Sequence, residues 1–288
     1  MPQLIVIAGP TASGKTSLAI EVAQHYSTEI ISADSRQFYR EMEIGTAKPS
    51  VEERAQVKHH FVDNLSIHDD YSAGHFEQEV LAFLKAYFQE NDKVVMAGGS
   101  GMFIDAVCYG FDDVPRDLDI RKSLNEELAE FGLSKLVEEL QKVDPVHYER
   151  VDRANPQRVI RALEVFRSTG VPFSNYHSKT KAQRDFDIAY YAIEMEREKL
   201  YERINQRTDT MLEAGWLEEA KELYPHRQLN ALNTVGYKDL FDFIEEKTSW
   251  DECVEEIKKN TRRYAKRQET WLRRNEDVRW VQSLNDIL

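Results

Sequence analysis

Apolar positions along this chain alternate between short unbroken runs and stripes of helical period. Leu4-Ile5-Val6-Ile7-Ala8 is continuous and of strand length, whereas Ser17 to His25 places Leu18, Ala19 and Val22 on one helical face. Glu29 to Ala33 reads as a second strand and Lys93 to Ala97 as a third. Between them, Ile44 to Pro49 is a turn-rich loop, Val51 to Lys58 a short charged helix, and His60 to Leu65 a candidate strand. Ser72 caps a helix with Phe76, Val80, Phe83, Leu84 and Tyr87 on its apolar face. From about Asp112 the pattern turns to charged helical segments without strands, at Arg121 to Glu130 and Ser134 to Gln141. Asn155-Pro156 opens a third helix, with Val159, Leu163 and Phe166 inward, that Gly170 and Pro172 stop after Thr169. Strand character returns at Phe186 to Ile193, followed by a helix over Glu196 to Ala214 that Gly215 ends. Ser249 and Glu252 form a capping box for the last long helix, whose stripe is Trp250, Val254, Ile257, Tyr264 and Trp271. The pattern predicts an α/β fold, a parallel sheet flanked by helices, over residues 1–112 and 183–288, with a helical insertion domain over 113–182.

The turn between the first strand and the first helix carries chemistry. Gly9-Pro10-Thr11-Ala12-Ser13-Gly14-Lys15-Thr16 fits G-x-x-x-x-G-K-[ST], in the strand, loop, helix context of a phosphate-binding P-loop. Such a loop aims backbone N–H groups and a helix N-terminus at an anion, and Gly9 and Gly14 permit close approach. Lys15 would neutralise the distal phosphates and the Thr16 hydroxyl would ligate Mg²⁺. The motif does not distinguish a nucleotide from another diphosphate ester.

Asp34-Ser35-Arg36-Gln37 stands at the carboxyl end of the second strand, where open α/β sheets place ligands. Asp34 could sit near Mg²⁺, take a proton from a nucleophile, or simply cap a turn. If the second strand lies beside the first, Asp34 approaches the phosphate site. Gly98-Gly99-Ser100-Gly101 ends the third strand and presents Ser100 at the same edge. The glycines stand where an ATPase often has an acidic residue, which counts against simple ATP hydrolysis. Arg203 and Arg207 share a helical face and could grip a phosphate, or pair with Glu202 and Asp209. Gln157, Arg158 and Arg161 lie off the buried stripe of their helix. His59, His60, His68 and His75 lack the partners and spacing of a zinc site.

Composition narrows the class. The 288 residues are 41% hydrophobic and 31% charged, ordinary for a soluble globular protein. No apolar run approaches a membrane span, no basic region precedes the first apolar run as in a signal peptide, and Cys108 and Cys253 fit a reducing, cytoplasmic setting. The net charge of −13 argues against indiscriminate coating of nucleic acid. Against that background, Lys258, Lys259, Arg262, Arg263, Lys266, Arg267, Arg273 and Arg274 form a segregated basic run with Glu269 the one acid among them. Such a helix fits a nucleic-acid backbone, a partner helix or an acidic surface of the same chain.

These segments together resemble the tRNA dimethylallyltransferase, or isopentenyltransferase, family. The resemblance rests on G-P-T-A-S-G-K-T at Gly9, D-S-R-Q-F-Y-R at Asp34, I-G-T-A-K-P at Ile44, A-G-G-S-G-M-F at Ala97, N-P-Q-R-V-I-R-A-L at Asn155, N-T-V-G-Y-K at Asn233 and R-R-Y-A-K-R-Q-E-T-W at Arg262, in order over nearly the whole chain. It implies transfer of a five-carbon allyl group from dimethylallyl diphosphate to N6 of the adenosine adjacent to the anticodon, with diphosphate released. Gly9 to Thr16 would hold the diphosphate, with Mg²⁺ on Thr16. Asp34 becomes the general base, with Ser100 and Arg207 near the diphosphate and Lys15 and Thr16 stabilising the leaving group. The flipped adenosine and its anticodon stem-loop would meet Asp34, Ser35, Arg36, Gln37, Ser100, Gln157, Arg158, Val159, Ile160, Arg161, Arg263 and Arg267. The family usually has Thr where this chain has Ser100, and Leu-Tyr at Met102-Phe103; Ser keeps the hydroxyl. The resemblance implies a cytoplasmic monomer without membrane contact. The second reading is a small-molecule kinase that uses ATP at the same loop, the third a non-catalytic nucleic-acid binder.

Overall fold

The computed structural model describes residues 1–110, 114–176 and 181–288. They fall into two compact units, one of Met1–Cys108 with Gln183–Leu288 and the other of Tyr109–Ala182. The expected division between 112 and 113 lies outside the described residues.

The first unit is built on one six-stranded parallel sheet. Its strands are β1 (Gln3–Ala8), β2 (Ile30–Ser32), β3 (His59–His60), β4 (Lys93–Gly98), β5 (Asp187–Ile193) and β6 (Arg279–Val281), in the order β3-β2-β4-β1-β5-β6. Leu4, Ile5, Val6 and Ile7 pair with Val94, Val95, Met96 and Ala97 on one side and with Ile188 to Tyr191 on the other. A central strand covered on both faces needs such an unbroken apolar run, and Leu4 to Ala8 are all buried. The strand order corrects one expectation: β2 is not beside β1, because β4 runs between them. The candidate strand over His60 to Leu65 shrinks to His59–His60, since Phe61 and Asp63 adopt positive φ, which an extended strand excludes.

Helices α1 (Lys15–His25), α2 (Val51–Gln56), α3 (Ala73–Tyr87) and α4 (Gly101–Tyr109) alternate with the first strands. In the other unit, α5 (Leu118–Phe131), α6 (Leu133–Val143), α7 (Pro145–Tyr148) and α8 (Pro156–Thr169) close over Leu124, Leu136, Leu140, Val159, Ile160 and Leu163. Helix α8 is bounded as its sequence signals require: the Asn155 side chain accepts from the Arg158 N–H, Pro156 takes the first position, and Gly170 ends it with φ 72°. After β5 come α9 (Arg197–Glu213), α10 (Trp216–Leu223), α11 (Tyr237–Ile244) and the 23-residue α12 (Trp250–Leu272). Cys253, Ile257, Ala265, Gln268 and Leu272 form the buried stripe of α12, so the expected stripe shifts, with Trp250 and Trp271 at its exposed ends.

Candidate active site

Residues 9–16 close the gap between β1 and α1. Ala12 and Gly14 take left-handed φ values of 65° and 98° that fold the loop back, and a Cβ on Gly9 would sit 2.9 Å from the Ser13 hydroxyl. Gly14 caps α1 without a side-chain hydrogen bond, which leaves first-turn N–H groups for an anion. The Ser13 hydroxyl is buried and has no hydrogen-bond partner among the described residues. Lys15 Nζ donates to the Pro10 carbonyl at 2.8 Å. Burial lowers its pKa to about 8; the Asp34 charge opposes that shift and Arg207 adds to it.

From α9, Arg207 donates to the Thr11 hydroxyl, and an Arg203 guanidinium nitrogen lies 3.5 Å from where a Cβ on Gly14 would stand. Burial lowers the Arg207 pKa, Asp34 raises it and Arg203 lowers it. The acidic neighbours are engaged elsewhere: Asp209 pairs with Lys258 at 2.8 Å, and Glu202 accepts from Gln206 at 3.3 Å.

Asp34 braces its own turn and borders the cavities. Its Oδ1 accepts the Arg36 N–H at 3.1 Å in a tight turn, while Oδ2 stands 3.8 Å from where a Cβ on Gly99 would lie. The strand between β1 and β2 makes this proximity possible only by ending in glycine, because a Cβ on Gly98 would collide with the Ala33 carbonyl. Ser100 Oγ accepts the Ser35 N–H at 3.0 Å and bonds the Ser35 hydroxyl at 3.1 Å. The Tyr264 hydroxyl meets Ser100, and its pKa is pushed up to about 12, first by burial and then by Asp34.

Two cavities share Thr11, Asp34 and Arg207. The smaller, about 70 Å³, is lined by Lys15, Thr16, Gln37 and Gly98. The larger, about 620 Å³, is lined by Ser35, Arg36, Asn233, Thr234, Tyr264 and Arg267 and is of the size that takes organic ligands. Phosphate loop and carboxylate therefore stand at one continuous edge.

Several expected RNA contacts have other occupations. Val159 and Ile160 are fully buried in the helical unit, so their side chains offer no surface to RNA. Arg161 donates to the Pro115 and Val114 carbonyls at 3.0 Å each and pairs with the buried Glu164 at 3.1 Å. Gln157 accepts from Arg121 at 3.0 Å while remaining exposed, as does Arg158. Arg36 donates to the carbonyls of Asn230, Ala231 and Asn233, and Gln37 to those of Thr46 and Ala47. These side chains brace the rim, which leaves Arg36 and Gln37 to line the cavities without a free polar head. On α12, Lys258 and Arg262 pack inward on Asp209 and Asn205, and Lys259 and Arg273 pair with Glu256 and Glu269. Arg263 and Arg267 are exposed, and Arg267 lies over the Tyr264 ring. Tyr264 and Gln268 are the site residues that periodicity hides: one reads as stripe, the other as a surface polar. The signal was a Gln between Tyr264 and Trp271 at helical spacing, on the buried face.

The sequence profile of the family described as IPP transferase matches residues 37–275. The chain belongs to the IPP transferase family. This IPP transferase is 50% identical over 280 residues to the tRNA dimethylallyltransferase of Christiangramia forsetii, covering 97% of this chain and 93% of that one. It is 44% identical to the enzyme of the same name from Flavobacterium johnsoniae, covering 99% and 95%. Among solved structures it resembles the full-length tRNA isopentenylpyrophosphate transferase of Bacillus halodurans, with TM-score 0.72, 34% identity and coverage of 98% and 90%. A eukaryotic dimethylallyltransferase acting on tRNA matches with TM-score 0.80, 26% identity and coverage of 98% and 74%. Among the described residues of this IPP transferase, no helix is long and apolar enough to cross a membrane, and no group of three His, Cys, Asp or Glu could hold a metal.

Proposed function

We propose that this chain is a tRNA dimethylallyltransferase, which moves the dimethylallyl group of dimethylallyl diphosphate to N6 of the adenosine adjacent to the anticodon. The observation that carries the reading is the shared border of the two cavities, where Asp34 stands between the phosphate loop and a space of nucleobase scale. N6 forms a bond to C1 of the allyl group, the C1–O bond breaks, diphosphate departs, and the N6 proton passes to Asp34. Lys15, Arg207 and the open N–H groups of α1 stabilise charge on the leaving diphosphate. Ser100, held by Ser35 with the Tyr264 hydroxyl nearby, orients the polar edge of the reacting centre.

Thr16 supplies one hard oxygen beside Asp34 in the smaller cavity, which fits Mg²⁺ held mainly by water and the diphosphate. When bound, Mg²⁺ would neutralise diphosphate charge. Exposed Arg263 and Arg267 on α12 would hold the RNA backbone, and Gln157 and Arg158 of the helical unit would add contacts of their own. The reading includes a monomer in the cytoplasm. A kinase is disfavoured, since Asp34 borders the wide cavity and β4 ends in glycine with no acid.

The test is incubation with undermodified tRNA and either labelled dimethylallyl diphosphate or labelled ATP. Label from the prenyl donor in RNA is expected. Label from ATP in a small acceptor, with none in RNA from the prenyl donor, would overturn the assignment in favour of the kinase.

A further inference from the structure

Helix α12 reaches the reacting edge through three side chains on one face. Tyr264 meets Ser100, Trp271 donates to Asp105 at 2.6 Å, and Gln268 lies between them at helical spacing. Gln268 is 8% exposed and uses both ends of its amide: Oε1 accepts the Thr11 N–H at 2.8 Å, and Nε2 donates to the Gly99 carbonyl at 2.8 Å. A Cβ on Gly99 would collide with that amide nitrogen, so the turn before Ser100 is shaped around it. Thr11 in turn receives Arg207 on its hydroxyl. One amide thus ties the phosphate loop to the Asp34 and Ser100 side of the site, from the helix that carries Arg263 and Arg267.

We propose that Gln268 is a positioning residue for the transfer reaction: from the basic helix it fixes the separation of the phosphate loop and the Gly99-Ser100 turn. The inference rests on the prenyl-transfer reading. Only a side chain with a donor and an acceptor of this length satisfies both partners. Leaving either backbone group unpaired in a buried place frees the loop to move. A shift of about 1 Å at such a site lowers turnover on the order of 10²-fold.

The experiment compares Gln268→Ala and Gln268→Glu with the unaltered full-length chain in prenyl-transfer kinetics, in calorimetric binding of inorganic diphosphate with Mg²⁺, and in tRNA binding. For Gln268→Ala, kcat is expected to fall about 10²-fold and diphosphate affinity about tenfold, with tRNA affinity within about twofold of the parent. Gln268→Glu keeps the acceptor for Thr11 but sets an anion against the Gly99 carbonyl. Protonation replaces the lost donor, and burial raises the pKa of such a carboxyl. Its kcat relative to the parent should therefore recover as pH falls from about 8 to about 6. Parental kcat and diphosphate affinity in Gln268→Ala, or a constant activity ratio across pH in Gln268→Glu, would overturn the proposal. Should Gln268→Ala fail to fold, the pH ratio of Gln268→Glu decides. If the unaltered chain transfers no prenyl group, the function itself fails, while the diphosphate titrations still report on Gln268.

Discussion

Lys15 Nζ rests 2.8 Å from the Pro10 carbonyl, within the Gly9 to Thr16 loop. Burial brings its pKa down to about 8, so the charge needed for anion binding is complete only below that pH. As pH rises through about 8 the ammonium is lost, and affinity for inorganic diphosphate should fall. Diphosphate gains charge over the same interval, which acts in the opposite direction. The control is Lys15→Arg, which stays charged throughout. Calorimetric titration at several pH values should show the fall in the unaltered chain and none in Lys15→Arg; parallel curves would remove Lys15 as the titrating group.

Asp34→Asn separates the two uses of this side chain. Asparagine retains an oxygen for the Arg36 N–H, so the turn should survive. It cannot take the N6 proton, and kcat should fall about 10²–10⁴-fold. Removing the anion beside Lys15 and Arg207 should leave diphosphate binding unchanged or tighter. Single-turnover transfer and diphosphate titration measure the two effects, and loss of both together would make Asp34 a structural residue.

Local signals in the chain were sufficient where one short segment decides the outcome. The run before Gly9 is a central strand, and Asn155, Pro156 and Gly170 bound α8 because capping depends on neighbours in sequence. What escaped is set by distant partners. No local pattern announces that β4 lies between β1 and β2, or that three carbonyls near residue 230 absorb Arg36. Arg161 looks like Arg158 in sequence, yet one is spent on Glu164 and the other faces solvent. Short α10 and α11 lack the capping side chain that exposes α8, since each follows a glycine, and α11 is capped only from within, by Asp239 accepting the Gly236 N–H at 3.0 Å.

Glu164 is fully buried in the helical unit and accepts from Arg121 at 2.9 Å and from the Asp117 N–H at 3.1 Å, besides Arg161. Glu164→Ala leaves these donors without their acceptor and, because both guanidinium groups keep partial access to water, should cost about 1–3 kcal/mol in that unit. Arg161→Ala belongs with it: urea unfolding should show lower stability, with RNA affinity changed less than in Arg158→Ala. If Arg161→Ala weakens RNA binding at unaltered stability, its guanidinium leaves Glu164 when RNA is present.

Arg263 and Arg267 test how the basic helix is used. Both are exposed; Arg263 makes a 3.3 Å hydrogen bond to Asn260 and Arg267 lies over Tyr264, and among the described residues neither is committed to an ion pair. If each meets a phosphate, removing one releases about one fewer counterion on binding, and the slope of log affinity against log salt should become shallower by about one unit per arginine. Arg273, paired with Glu269 at 2.8 Å, supplies the contrast, and Arg273→Ala should leave the slope unchanged. Its guanidinium is engaged both by Glu269 and by the Trp280 ring, 4.5 Å away. Filter binding of tRNA over a salt series reads all three. An equal flattening from Arg273→Ala would mean that net charge, and not position on the helix, draws the RNA.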